Sequence, residues 1–408
     1  MSNTARTSNP NSGATNQSLR AHNLSLALRH ILANPGAINR AGIAAQTGIS
    51  RATMSRLVDE LIATGLVEES VDKLSTGQRG RPTSVLSPTS GKVIALGLQV
   101  NVSALGAYLV DLSGTVLAHE CVSGDFSGAD PTSTLRKLAR IARRVLREGS
   151  STGALFLGSS LALPGLFSAD TLTVAPNLGW RNIPRKEILH PLHDLAVTLV
   201  ANEADLAAYA VAFPRPGVPE GPDSFIYVSG EVGIGGGLII NHQPLSGAHG
   251  WSGEIGHICV EPEGDICSCG ARGCLETVAG LKALGHAAGL GDNASTREIL
   301  QHAGHSSRAQ DAMTHAGHAL GQALSAVVNT VDISQVYLGG LVAEIAPYLL
   351  PSLREELATR VLQAPWHTPQ IDILPHSEDL SLRGGAHRVL DRIVDDPIHW
   401  KDQAITLP

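Results

Sequence analysis

At 408 residues and 43% hydrophobic content, the chain can bury a substantial core and has room for two or three domains. It has no apolar run of about 18 residues or more and no signal-peptide pattern at its start, which excludes a membrane-spanning helix and leads us to expect a cytoplasmic protein with reduced thiols. The net charge of -7 is unevenly spread: residues 1–90 carry nine basic and five acidic side chains, a net +4, against about -11 for the remainder, so nucleic acid is expected at one end and a different task at the other.

Residues 1–17 are Ser, Asn, Thr, Gly and Pro without periodicity and read as a disordered tail. Leu24, Leu28, Ile31 and Leu32 recur at helical spacing, so an amphipathic helix is expected up to Ala33, ended by Asn34-Pro35-Gly36. Asn39 is placed to cap a short helix through Thr47, Gly48 supplies a turn, and Ser50 is placed to cap a second helix through about Thr64. Met54, Leu57, Val58 and Leu61 fall on that helix's inner face. This spacing is a helix-turn-helix pattern. Ser50 and the outward residues Arg51, Ala52, Thr53, Ser55 and Arg56 are the candidate DNA contacts. Leu66–Glu69 and Thr83–Leu86 flank a Gly-rich tip with Arg79 and Arg81, and read as the β-hairpin wing of a winged helix; the two arginines suit phosphates or a minor groove. Ser87-Pro88-Thr89 marks the end of an expected DNA-binding domain over residues 18–88.

Residues 93–119 read as strand, turn, strand, turn, strand, and a similar unit returns from Phe225 to Leu245. Two strand–Gly-turn–strand units suggest a duplicated, two-lobed fold. Between them lie an amphipathic helix at 131–148, an apolar strand ending at Pro164-Gly165, the segment A-P-N-L-G-W at 175–180, and Asn202-Glu203-Ala204-Asp205 at the start of a helix. Asn202 also suits a helix cap.

The stretch from Trp251 to Glu276 concentrates chemistry. Four of the five cysteines fall here, and three of them, Cys267, Cys269 and Cys274, are closely spaced, with His257 upstream. Thiolate sulfur and neutral imidazole suit a closed tetrahedral zinc site. A disulfide is the competing reading, although Cys267 and Cys269 are too close to pair easily. Glu254 lies three residues before His257 and Glu276 two after Cys274. If one nitrogen of His257 takes the metal, the other can face a neighbour or a ligand. Residues 277–329 read as mostly helical, Val336–Gly340 ends a strand, and Leu382-Arg383-Gly384-Gly385-Ala386 opens a last helix.

The pattern G-H…C-x-C-G-x-x-G-C-L-E at 256–276 resembles the signature of the ROK family (repressors, open reading frames and sugar kinases). The G-x-x-G-R-P tip at 77–82, P-N-L-G-W, V-x-L-G-G and L-R-G-G-A extend the resemblance from about Gly36 to the C-terminal region. It implies a two-lobed α/β actin/hexokinase-type (ribonuclease H-like) ROK domain over 92–395, following the winged helix-turn-helix. It implies structural zinc on His257, Cys267, Cys269 and Cys274, in a loop spanning 257–274. It implies a sugar held by Gly165, Asn177, Asn202, Glu203, Glu254, His257 and Glu276. Family kinases carry Asp-x-Gly-x-Thr in the first phosphate turn, where this chain has Gln99, Asn101 and Ser103. They carry a small hydroxyl residue where it has Glu231, and an Asp base where it has Glu203. An amide cannot replace a carboxylate that holds a hard cation, and a carboxylate repels phosphate. The expectation is therefore a non-enzymatic repressor of carbohydrate metabolism with no catalytic residue. Its expected partners are double-stranded operator DNA and a sugar effector, as a homodimer or dimer of dimers, with no membrane. The alternatives are an active ATP-dependent sugar kinase, or a regulator controlled by a partner protein with a vestigial sugar cleft.

Overall fold

Two capping side chains define the DNA-binding end. Asn39 accepts from the Gly42 N–H and Ser50 from the Thr53 N–H, each opening a helix. The structure, a computed structural model, describes residues 16–71, 84–151, 153–375 and 377–407. Helices α1 (Asn16–Ala33), α2 (Arg40–Thr47) and α3 (Arg51–Thr64) bury Leu24, Leu28, Ile31, Ile43, Met54, Val58 and Leu61 against one another. Gly48 and Gly65, both left-handed, close α2 and α3. Strands β1 (Val67–Val71) and β2 (Ser84–Pro88) pair antiparallel as the base of a wing. The tip with Arg79 and Arg81 lies outside the described residues.

The first lobe opens with β3 (Val93–Val100), β4 (Ala104–Asp111) and β5 (Val116–Ser123), an antiparallel meander. Helix α4 (Pro131–Gly149) then leads to β6 (Leu155–Leu163), which runs parallel to β3. A small sheet of β7 (Leu166–Phe167), β8 (Thr171–Ala175) and β9 (Trp180–Pro184) and the short α5 (Arg185–Leu189) precede β10 (Val197–Asn202). The main sheet runs β10-β6-β3-β4-β5. Every residue of β3 is buried, as a continuous apolar run covered on both faces should be.

Helix α6 (Glu203–Ala212) crosses to the second lobe. There β11 (Phe225–Gly230), β12 (Ile234–Ile240) and β13 (Gln243–Pro244) repeat the antiparallel opening. Helices α7 (Glu276–Ala279), α8 (Leu281–Ala287), α9 (Thr296–Ala303) and α10 (Ser307–Val331) follow. Then come β14 (Gln335–Gly339), α11 (Gly340–Glu344), α12 (Ala346–Arg360) and β15 (Gln370–Ile373), in a sheet ordered β13-β12-β11-β14-β15. Helix α13 (Leu380–Asp395) returns to the first lobe, and β16 (Ile405–Thr406) pairs with β6. The winged-helix and two-lobed fold expected from the sequence is the fold observed. Among the described residues no helix is long and apolar enough to cross a membrane.

Two contacts tie the parts together. Helix α13 lies on β3 and α6 with backbone against backbone: a Cβ on Gly97 would meet the Leu382 carbonyl oxygen at 1.9 Å, and one on Gly384 the Leu206 carbonyl oxygen at 1.8 Å. The helix-turn-helix is not a separate bead either. Leu24, Leu28 and Met54 belong to one continuous apolar cluster with Val389, Leu390 and Ile393 of α13 and with Trp400. Polar contacts reinforce the joint. The loop after α6 sends Arg215 to the Leu32 and Ala33 carbonyls, both at 3.0 Å, which satisfies two acceptors that the end of α1 would otherwise leave open. Arg29 of α1 reaches the Gly217 carbonyl and Asp395, each at 2.7 Å. Asp391 of α13 accepts from the Gly217 N–H at 3.0 Å and from the Tyr209 hydroxyl of α6.

Gly97→Ala must push α13 off β3, and is expected to lower stability by about 1–3 kcal/mol, as overpacked core substitutions do. Urea unfolding measures it; an unchanged midpoint would count against this packing.

Candidate functional site

A cavity of about 320 Å³ opens between the lobes. Its walls come from element ends, because strand and helix termini meet where the two sheets face each other. The β3–β4 turn brings Gln99 and Asn101, the end of β6 brings Gly165, and the start of α6 brings Asn202 and Glu203. From the second lobe come Glu231 in the β11–β12 turn, and Glu254, His257 and Glu276 around the cysteine loop. The seven residues expected at a sugar site, Gly165, Asn177, Asn202, Glu203, Glu254, His257 and Glu276, all line this one cavity.

Their local roles differ from one another. Gly165 sits at φ +130 with its Cα so close to β8 that a Cβ would meet the Val174 carbonyl oxygen at 2.2 Å, so only glycine fits there. The Asn202 Oδ1 accepts from the Ala204 N–H and caps α6, which commits that oxygen to the fold. Asn177 donates to Glu276 at 3.2 Å, and the same Glu276 oxygen accepts from the Ile234 N–H at 3.1 Å. Glu203 receives both first-turn amides, Asn101 at 2.8 Å and Gln99 at 3.2 Å. Burial, and then the neighbouring Glu231, push its carboxyl up to about 8. Burial likewise raises Glu231 and Glu254 above the usual carboxylate range. Asp205, two residues into α6, is pushed up to about 7 by burial and by Glu254. The cavity is thus rich in acceptors. Such a surface suits a ligand carrying many hydroxyl donors, since a polar group leaves water at low cost only when a partner awaits it.

Beside the cavity, one ligand atom from each of His257, Cys267, Cys269 and Cys274 lies within 4.8 Å of the others, so the four can hold a metal ion. The His257 Nδ1 is 3.7 Å from the Cys267 Sγ, and Cys269 and Cys274 bring their sulfurs to 3.8 Å. All five cysteines are free thiols, so the disulfide reading falls away. Burial first, and the neighbouring thiols second, raise Cys274. Thiolates crowded like this call for a cation. The other ring nitrogen of His257, Nε2, lies 3.9 Å from Glu254. One imidazole therefore spans the thiol cluster and the cleft.

At the DNA-binding end, Arg51, Ala52 and Arg56 are exposed, and neither arginine has an ion-pair partner among the described residues. The other expected contacts are partly engaged: the Ser50 and Thr53 hydroxyls bond each other at 2.9 Å, and Ser55 accepts from Arg40 at 3.1 Å. Sequence reasoning missed Tyr227, Ser229, Ser377, Glu378 and Ser381, which also line the cleft. The last three precede or open α13 in a stretch with no motif, and only the return of that helix brings them in.

Comparison with known proteins agrees with this geometry. The ROK family model matches residues 95–392, and the MarR family model matches residues 25–73. The "Xylose repressor" of Bacillus subtilis (strain 168) is 29% identical over 378 residues, covering 91% of this chain and 96% of that protein. The "DNA-binding transcriptional dual regulator NagC" of Escherichia coli (strain K12) is 28% identical over 359 residues, covering 83% and 86%. A crystal structure of a ROK family transcriptional regulator, described as a homologue of the E. coli MLC protein, superimposes with a TM-score of 0.71 at 21% identity, covering 93% of this chain and 98% of that one.

The purified chain is expected to carry one divalent metal ion, counted by plasma mass spectrometry. Cys274→Ser should lose it, and a chelator should lower the melting temperature of the parent until metal is restored. A metal-free parent with the same melting temperature would sink the assignment.

Proposed function

The chain belongs to the ROK family, and on that premise we propose that it is a sugar-responsive transcriptional repressor that does not phosphorylate the sugar it binds. The observation that carries this reading is the union of two devices in one molecule. A helix-turn-helix presents exposed Arg51 and Arg56, and it shares a continuous core with a body whose interlobe cleft gathers all seven expected sugar contacts. Helix α3 enters a major groove. A dimer or dimer of dimers places two such helices on successive groove faces. Xylose and N-acetylglucosamine, the sugars of its repressor relatives, are the first effectors to try.

Several features support binding without phosphoryl transfer. Gln99 and Asn101 stand where family kinases hold nucleotide phosphates and magnesium, and both donate to Glu203. Amides do not hold a hard cation as a carboxylate does. Glu231 lies in the second turn, where the kinases carry a small hydroxyl residue, and lines the cleft. Glu203, at the position of the family's Asp base, already accepts two amide hydrogens and is one methylene longer than Asp, which suits binding a hydroxyl better than taking its proton.

The metal we propose is zinc. A tetrahedral ion with Zn–S near 2.3 Å and Zn–N near 2.0–2.1 Å separates its ligands by about 3.5–3.8 Å. The 3.7 and 3.8 Å separations here fit that set. Bound zinc would be structural: it would fix His257, Glu276 and the loop between them at the cleft wall.

The route from sugar to DNA runs along α6. Its first residue, Glu203, lines the cleft. Tyr209, nearly two turns on, bonds Asp391, and Asp391 holds the Gly217 loop that engages both Arg29 and the end of α1. Closure of the lobes on a sugar tilts α6 and so moves the seat of the DNA-binding helices.

Arg56→Ala is expected to weaken operator binding by about 1–3 kcal/mol in gel shift and to keep sugar binding by thermal shift. Glu254→Ala should do the opposite: DNA binding is retained and the response to sugar lost. Turnover of magnesium ATP with any sugar, above a no-protein control, would overturn the non-enzymatic reading.

Asp391→Asn should leave both affinities nearly intact and shrink the sugar's effect on operator affinity, a coupling that in such systems is typically about 5–150-fold. Titrating operator with and without sugar reads it directly, and an undiminished coupling rules this route out.

A further inference from the structure

The cleft wall holds two carboxylates and a hydroxyl with bonding positions still open. Both first-turn amides reach the same oxygen of Glu203, Oε2. Its second oxygen has no hydrogen-bond partner among the described residues. Glu231 takes the Ser103 hydroxyl at 3.1 Å. Ser381, at the start of α13, is only 5% exposed; its hydroxyl has no partner among the described residues, and it lines the same cavity. A buried hydroxyl without a partner is costly, so an empty bonding position at a cavity wall points to a ligand atom. The rest of the lining sharpens the chemistry. Among the described residues, five glutamates face the cavity and neither a lysine nor an arginine does.

We propose that Glu203, Glu231 and Ser381 form a compartment that selects a free sugar, neutral or amino, and rejects the phosphate ester of the same sugar. The inference rests on the sugar-sensing reading and deepens it. Sugar hydroxyls donate to the open oxygens of the two carboxylates, and the Ser381 hydroxyl bonds a third sugar oxygen. A phosphate there brings close to two negative charges and three acceptors. It would meet acceptors where it needs donors, with no cation to match it. Glu203 and Glu231 already repel one another in this buried site. A phosphate would add a third negative group to that pair.

The test is calorimetry on the full-length, metal-loaded chain with matched pairs: xylose and xylose 5-phosphate, glucose and glucose 6-phosphate, glucosamine and glucosamine 6-phosphate, N-acetylglucosamine and its 6-phosphate. The expected result is binding of at least one free sugar, with its phosphate at least about tenfold weaker, the cost of like charges in a shared site. Glu231→Ser should then raise affinity for that phosphate and narrow the gap. Should that variant not fold, by circular dichroism and metal content, Glu203→Gln serves the same purpose. A phosphate that binds the parent as tightly as the free sugar overturns the inference and leaves the sensor reading standing, as does a folded variant with an unchanged gap. No binding by either form of any sugar overturns the sensor reading itself, and this inference with it.

Discussion

The structure depends on one close approach, that of α13 to β3 and α6. Two backbones touch where Gly97 meets Leu382 and where Gly384 meets Leu206, and any side chain there would part them. Because nothing intervenes, α13 can pack on the first-lobe sheet and on the interlobe helix at once. The position of α6 decides where Asn202 and Glu203 enter the cleft and where Tyr209 meets Asp391. A contact with no side-chain chemistry of its own thus fixes the distance between the two places where chemistry happens. Tightly packed interiors transmit displacement because they do not compress.

The electrostatics of the cleft follow from that architecture. Element ends deliver carboxylates from both lobes into a space partly closed to water, and burial then raises them. Each is costly alone and tolerable beside a donor. Asn101, Gln99, Asn177 and Ser103 supply some of the donors. His257 links this ledge to the thiol cluster through the two nitrogens of one ring, so the loop and the cleft wall hold their shape together.

Much of this was legible in the chain itself, and the reasons are local. Asn39 and Ser50 precede apolar periodicity at capping distance, and both caps form. His257 and the three cysteines lie within one short stretch, so their convergence needed only a turn. Strand–Gly–strand units announce themselves by alternation and length. What escaped notice was long-range. No pattern around Arg215 says that it will close the end of α1, whose carbonyls lie more than 180 residues earlier in the chain. Ser381 became a cleft residue only because α13 folds back across both lobes. The role of Asn202 was ambiguous at the level of residue type, and the geometry divides it: the oxygen caps the helix and the amide points toward Gly165.

The shared core of α1, α3, α13 and Trp400 bears on how the protein is made. Ribosomes add about 5–20 residues per second and release the amino end first. Here α1 and α3 find a packing partner, α13, that is synthesised long after them. Part of the core of the DNA-binding end therefore stays open until α13 has been made. A chain that stops before α13 lacks that partner, so the core under the DNA-binding helices is complete only when the two-lobed body is.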